Sequence, residues 1–175
     1  MRWIAEVYRV ALPGIPAWVD QSVLLFHGTL DVHVPDILKA VDLTRCNYLR
    51  DFGRGFYTTT NVYQAERWAR AEALGTPFGP AVIQFTVSRN ALASLDCLFF
   101  IRGNANAVDF WSFVQYCRTI PMDHNRAERQ WYDLVAGPVT GSWRKQTIIP
   151  DGDQISFHTA SGEDVLNNSG RVKVL

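Results

Sequence analysis

The chain has 175 residues, of which 47% are hydrophobic and 13% aromatic, enough for one domain with a sizeable core and too apolar for a disordered chain. Lys and Arg number 17 and Asp and Glu number 17, so the net charge is zero and gives no global steering towards nucleic acid or an anionic membrane, although a local basic patch is compatible with it. Cys46, Cys97 and Cys117 are odd in number and lack CxxC spacing, which excludes a full disulfide framework; with His27, His33, His124 and His158 they form no zinc spacing either, so free thiols and no metal are expected.

No apolar run approaches the roughly 18 residues of a membrane helix. The opening Met1-Arg2-Trp3-Ile4-Ala5-Glu6 lacks the apolar stretch of a signal peptide. The expectation is a cytoplasmic protein with no membrane partner. Export by a specialised secretion system leaves no such signal and stays open.

In chain order, residues 3–12 suit a short helix or a strand, broken by Pro13, Gly14 and Pro16. Ser22-Val23-Leu24-Leu25-Phe26 is predicted as a buried strand that stops at His27-Gly28-Thr29. A short helix is expected over 34–41, begun at Pro35. Residues 51–60 form a glycine-rich turn entering a β-prone stretch. Asn61 is then a good helix N-cap with Gln64 at the reciprocal capping position, and Val62, Ala65, Ala69 and Ala73 share one helical face. Gly75 and Pro77 end that helix.

Residues 81–87 are predicted as a strand, 90–95 as helix or turn, 98–101 as a short apolar run and 107–118 as a helix. Arg126, Glu128 and Arg129 suit a solvated helix face. Tyr132 to Ala136 is expected as a strand stopped by Gly137-Pro138, and 154–158 and 171–175 as two more. No linker or repeat divides the chain, so residues 1–175 are taken as a single domain. Roughly six short strands and three or four helices without βαβα alternation argue for an α+β fold.

Two segments carry chemistry. His27-Gly28-Thr29 closes an apolar strand; alone, such a histidine is as compatible with a hydrogen-bonded core residue, although the glycine lets a flat ligand approach the backbone. Phe52-Gly53-Arg54-Gly55-Phe56-Tyr57 is a double-glycine bend followed eleven residues later by Trp68. It lacks the GK[ST] of a phosphate loop and the strand–glycine–helix order of a dinucleotide fold, and by itself is an ordinary turn.

Together, FHGT and FGRGFYTTTNVYQAERWA resemble the ADP-ribosyltransferases of the diphtheria-toxin and poly(ADP-ribose) polymerase class, whose pattern is a His, a Tyr and a third Glu, Asp or Gln. The chain also resembles a bacterial family known as domain of unknown function 3990, through DFGRGFY at 51–57, YDLVAGPV at 132–139 and QISFHT at 154–159. The resemblance implies a split β-sandwich with flanking helices and a reaction that cleaves nicotinamide from the co-substrate NAD⁺ through an oxocarbenium-like transition state.

By that resemblance, the catalytic trio is His27, Tyr57 and Gln154. Gly28 supplies the N–H and C=O that grip the carboxamide, beside Thr29. Tyr57 stacks on the ring with Trp68 flanking it, Ala65 faces the carboxamide, and Gly55 permits close approach. His27 bonds a ribose hydroxyl on the adenosine or the nicotinamide side. Arg54 either reaches a pyrophosphate oxygen or is a solvated loop residue. Gln154 can bond the ribose 2′-hydroxyl but brings no charge, which implies single ADP-ribose transfer in place of chain growth; replacing it with Glu is expected to preserve or raise cleavage.

Asp151, Asp153 and Glu163 are either compensating acids or loop carboxylates. His158, on the strand face of Gln154, is a core residue or a support for the site. Asp133 either orients the acceptor or caps a turn.

The resemblance implies a small bacterial toxin, in a toxin–antitoxin pair or as a delivered effector, acting on protein, DNA or RNA and covered by a cognate antitoxin. NAD⁺ glycohydrolysis, with water as acceptor, and a degenerate NAD⁺-binding module are the rival functions.

Overall fold

The computed structural model describes residues 21–119 and 132–175; the expectations for 3–12 and for the charged face at 126–129 lie outside them. The fold is α+β. Strands β1 (Ser22–Leu30), β3 (Pro80–Ser88) and β7 (Gly170–Lys173) form one antiparallel sheet in the order β1-β3-β7. Strands β2 (Phe56–Thr58), β6 (Thr147–Phe157), β5 (Leu134–Ser142) and β4 (Cys97–Phe99) form a second sheet in the order β2-β6-β5-β4, with only β4 and β5 parallel. Five α-helices accompany them among the described residues: α1 (Val34–Lys39), α2 (Val62–Ala73), α3 (Arg89–Ala93), α4 (Val108–Thr119) and α5 (Ala160–Asn167).

Period-two alternation sorts the sheet faces. Odd residues of β1 and β3 (Leu25, Ala81, Ile83, Phe85 and Val87) meet Phe56, Leu134 and Phe157 of the second sheet in the main core. The opposite face of the first sheet buries Val82 and Phe26 against Ala65 and Ala69 of α2. The opposite face of the second sheet buries Val135 against Phe110, Trp111 and Val114 of α4, with Phe52 beside them. The order is therefore helix, sheet, sheet, helix.

Between the sheets, backbone pairing among the described residues consists of one bridge. Phe26 N–H donates to the Thr59 carbonyl at 2.8 Å, and Thr59 N–H to the Phe26 carbonyl at 2.9 Å. Beyond it the two edge strands diverge, and the cleft described below opens there.

Several boundaries differ from the sequence expectation. β1 continues through His27-Gly28-Thr29 to Leu30 because β3 offers a partner at every step, Gly28 opposite Val82 included. β5 is not stopped by Gly137-Pro138: Pro138 sits at a register shift opposite Asp153, where its missing N–H is tolerated. Helix α5 was not anticipated; the Thr159 hydroxyl caps it by accepting from Gly162 N–H. Asn61 caps α2 as expected, accepting from Tyr63 and Gln64 N–H. Gln64 does not reciprocate, since its amide bonds both the N–H and the carbonyl of Asp153 on β6.

Candidate functional site

The cleft has a volume of about 360 Å³, ample for a flat heteroaromatic ring with its sugar. His27, Gly28, Thr29, Gly55, Tyr57, Ala65, Trp68 and Gln154 all line it. Residues separated by more than a hundred positions are thus brought to one wall, because β2 pairs with β6 while bridging to β1.

His27 is partly buried, with its ring stacked on Phe56 at 4.2 Å. Its Nδ1 lies 2.7 Å from the Tyr57 carbonyl, which can only accept, so Nδ1 carries the proton. Burial lowers the imidazole pKa to about 4, against the opposing pull of that carbonyl. At neutral pH the ring is uncharged, and Nε2 is a lone-pair acceptor.

Gly28 has a different reason for being glycine than ligand approach alone. A Cβ there would lie 2.2 Å from the Ala65 carbonyl oxygen, so the position is what lets α2 pack directly on β1. Its backbone still faces the cleft. In an antiparallel strand both hydrogen-bonding groups of a residue point the same way, alternating along the chain. Phe26 points away from β3 to Thr59, so Gly28 does too, and its N–H and C=O are directed at the opening between the sheets.

Tyr57 is fixed by its hydroxyl, which donates to the Gly53 carbonyl at 2.8 Å and accepts from Phe52 N–H at 2.9 Å. Burial raises its pKa well above the ordinary value, so the phenol stays neutral. The double-glycine bend is the loop this hydroxyl closes. Gly53 has φ 84°, a conformation that favours glycine. At Gly55 a Cβ would lie 2.6 Å from His158 Nδ1. Trp68, on α2, is 47% exposed at the cleft mouth, with the Arg50 guanidinium 5.9 Å from its ring.

Arg54 is placed differently from the expected phosphate contact. Its Nε donates to the Leu43 carbonyl at 3.0 Å and its Nη1 to the Tyr48 hydroxyl at 2.9 Å, away from the cleft lining. The cleft is lined instead by Arg45, Arg50 and Arg118. Arg45 pairs with Asp36 at 2.7 Å, and Arg50 lies 3.9 Å from Glu72.

Gln154 is 7% exposed and opens onto the cleft. Its Nε2 donates to Asp51 Oδ2 and to the Pro138 carbonyl, each at 2.9 Å. Asp51 is the residue that sequence reasoning passed over inside DFGRGFY. It is 3% exposed and also accepts from Thr140 N–H at 3.0 Å and Thr140 Oγ1 at 2.7 Å. Arg118 completes its shell through Nε at 2.8 Å and Nη2 at 2.5 Å. The only sequence signal was an acid placed just before a buried phenylalanine. Its partner Arg118 stands 67 positions away and could not be matched to it.

The remaining acids and His158 have structural contacts. Asp153 holds Thr59 and Thr60 through their hydroxyls, Asp151 pairs with Arg102 at 3.0 Å, and Glu163 accepts from Leu43 N–H at 2.8 Å. Asp133 accepts from Asp96 N–H and from the Thr159 hydroxyl, so it joins β5 to α5. His158 donates from Nδ1 to the Arg54 carbonyl at 2.7 Å and meets Ser156 Oγ at 2.7 Å, tying the bend to the end of β6.

The chain belongs to the family described as Protein of unknown function (DUF3990), whose model matches residues 23–149. That span contains His27, Asp51, Tyr57, Trp68 and Arg118, and ends before Gln154. Comparison with curated proteins finds no match.

Proposed function

We propose that this family member binds NAD⁺ in the cleft between its two sheets, breaks the nicotinamide–ribose bond and transfers one ADP-ribose to a macromolecule, on an ADP-ribosyltransferase-like split sandwich. The observation that carries this reading is the convergence on one cleft wall of a neutral histidine acceptor, an outward-facing backbone N–H and C=O pair, and an aromatic ring. A primary carboxamide on a flat ring matches the Gly28 pair, and the ring matches Tyr57 with Trp68 opposite. Offset contacts of that kind are worth about 0.5–1.5 kcal/mol beyond burial.

The ribose hydroxyls donate to His27 Nε2 and to Gln154, which hold the sugar while the C1′–N bond lengthens. The bonding pair leaves with the ring as neutral nicotinamide, and positive charge develops on the sugar. The acceptor then attacks C1′ and loses its proton to solvent. The pyrophosphate meets Arg45 and Arg50, a reading supported by their position in the cleft lining. Action as a toxin in the cytoplasm, with a cognate antitoxin over the cleft, fits this chemistry and remains part of the same proposal.

The test is incubation of the purified protein with NAD⁺ labelled in the adenine ring, with and without cell lysate. Release of nicotinamide with label entering protein, DNA or RNA is the expected result. Release with all label free in solution assigns glycohydrolysis instead, and binding without release reduces the chain to an NAD⁺-binding module. His27→Ala and Tyr57→Ala each abolish turnover in a folded protein; near-normal activity in either removes that residue from the site.

A further inference from the structure

We propose that Asp51, itself held by Arg118, is a positioning residue that turns the Gln154 amide so that its oxygen faces the cleft, and that it makes glutamine, not glutamate, the side chain this position requires. The orientation rests on geometry; its consequence for turnover rests on the NAD⁺ reading above.

The two partners of the Gln154 amide, Asp51 Oδ2 and the Pro138 carbonyl, are both acceptors at 2.9 Å. A nitrogen with two protons satisfies both, whereas a flipped amide would set oxygen against two oxygens. With both N–H groups committed, Oε1 is left as the acceptor presented to the cleft that Gln154 lines. Because the residue is 7% exposed, an unsatisfied or rotating amide is costly there, so the orientation is strongly held.

Asp51 cannot turn away, since the Nε–Nη2 edge of Arg118 and the Thr140 hydroxyl hold its Oδ1 while Thr140 N–H holds its Oδ2. Arg118 is anchored in turn by donating from Nη1 to the Leu49 carbonyl at 3.1 Å.

The expectation that Glu at 154 preserves or raises cleavage is therefore reversed. A carboxylate there loses both donated bonds and stands against Asp51 Oδ2. Asp51→Asn alone is also unfavourable: with its oxygen kept for Arg118 and the Thr140 hydroxyl, its amide nitrogen opposes the Gln154 nitrogen and drives the Gln154 amide round. Combined, Asp51→Asn and Gln154→Glu restore one pair, donor to acceptor, while the new carboxylate still faces the Pro138 carbonyl and the new amide still faces the Thr140 N–H.

Two measurements decide this. The first is proton exchange of the Gln154 side-chain amide by NMR, assigned in the wild-type protein from through-space contacts to protons of Thr140 and Pro138. Slow exchange in the wild-type protein supports the proposal, and exchange as fast as at exposed glutamines overturns it, whether or not the protein cleaves NAD⁺ and whether or not the variants fold. The second is NAD⁺ cleavage by folded variants. Each single variant is expected to lose roughly tenfold or more in kcat, as one misplaced buried hydrogen-bond partner implies, and the double variant to lose less than the product of the two single losses, because only the 51–154 mismatch is relieved. Gln154→Glu as active as wild type, or a folded double variant whose loss is the full product of the two single losses, overturns the positioning role. Wild-type protein that cleaves no NAD⁺ refutes the functional reading and leaves the exchange result to decide the orientation.

Discussion

A histidine whose Nδ1 is committed to a carbonyl and whose ring is desolvated acts as an acceptor over most of the pH range. His27 has its pKa lowered from 6.5 to about 4, chiefly by burial. The acid limb of kcat/KM for NAD⁺ is expected near pH 4, with no inflection between pH 6 and 8 from this group. A pH–rate profile checks it, and an inflection near 6.5 that coincides with titration of the His27 ring followed by NMR would show the ring to be solvated. Stability follows the same linkage. The unfolded chain binds a proton at His27 between pH 6.5 and 4 that the folded chain refuses. Above pH 6.5 the residue costs nothing; as pH falls to 4 it withdraws on the order of 3 kcal/mol.

At the scale of elements, the contact between α2 and β1 sets the back of the cleft. Gly28→Ala places a methyl 2.2 Å from the Ala65 carbonyl and 3.1 Å from Ala69 N, both backbone atoms of a helix that cannot yield locally. A stability loss on the order of 3 kcal/mol is expected, read from the denaturation midpoint at unchanged m-value. A variant of wild-type stability would mean that α2 shifts freely on the sheet.

The strand and helix patterns around this contact were legible in the sequence, because Ala65 and Ala69 repeat at helical spacing and the apolar run of β1 is unbroken. Gly28 was legible as a close-approach position, but not what approaches it, since the helix backbone leaves no trace in side-chain pattern. Asp51, Arg118 and Thr140 escaped because a buried polar cluster has no period: its members come from a bend, a helix and a strand. Arg54 stayed open between a phosphate ligand and a loop residue for the converse reason, since its carbonyl and phenol partners lie outside the glycine segment.

At the largest scale, the two sheets meet, among the described residues, at one backbone bridge, Phe26 to Thr59. In a regular antiparallel ladder the next bonded pair would join Gly28 to Tyr57. That pair is not formed, and His27 Nδ1 bonds the Tyr57 carbonyl instead. The imidazole is thus expected to act as a wedge. Without it, as in His27→Ala, the strands are free to zip one pair further, which consumes about 7 Å of edge and ties up the Gly28 N–H. Hydrogen exchange at Gly28 reports the difference: fast in the wild-type protein, slowed in the variant, with unchanged fast exchange counting against the wedge. The aperture of the cleft is then set by where zippering stalls. On the proposed function, one side chain both keeps the seam open and presents an acceptor to it, so a change at His27 is expected to close the opening as well as remove the acceptor.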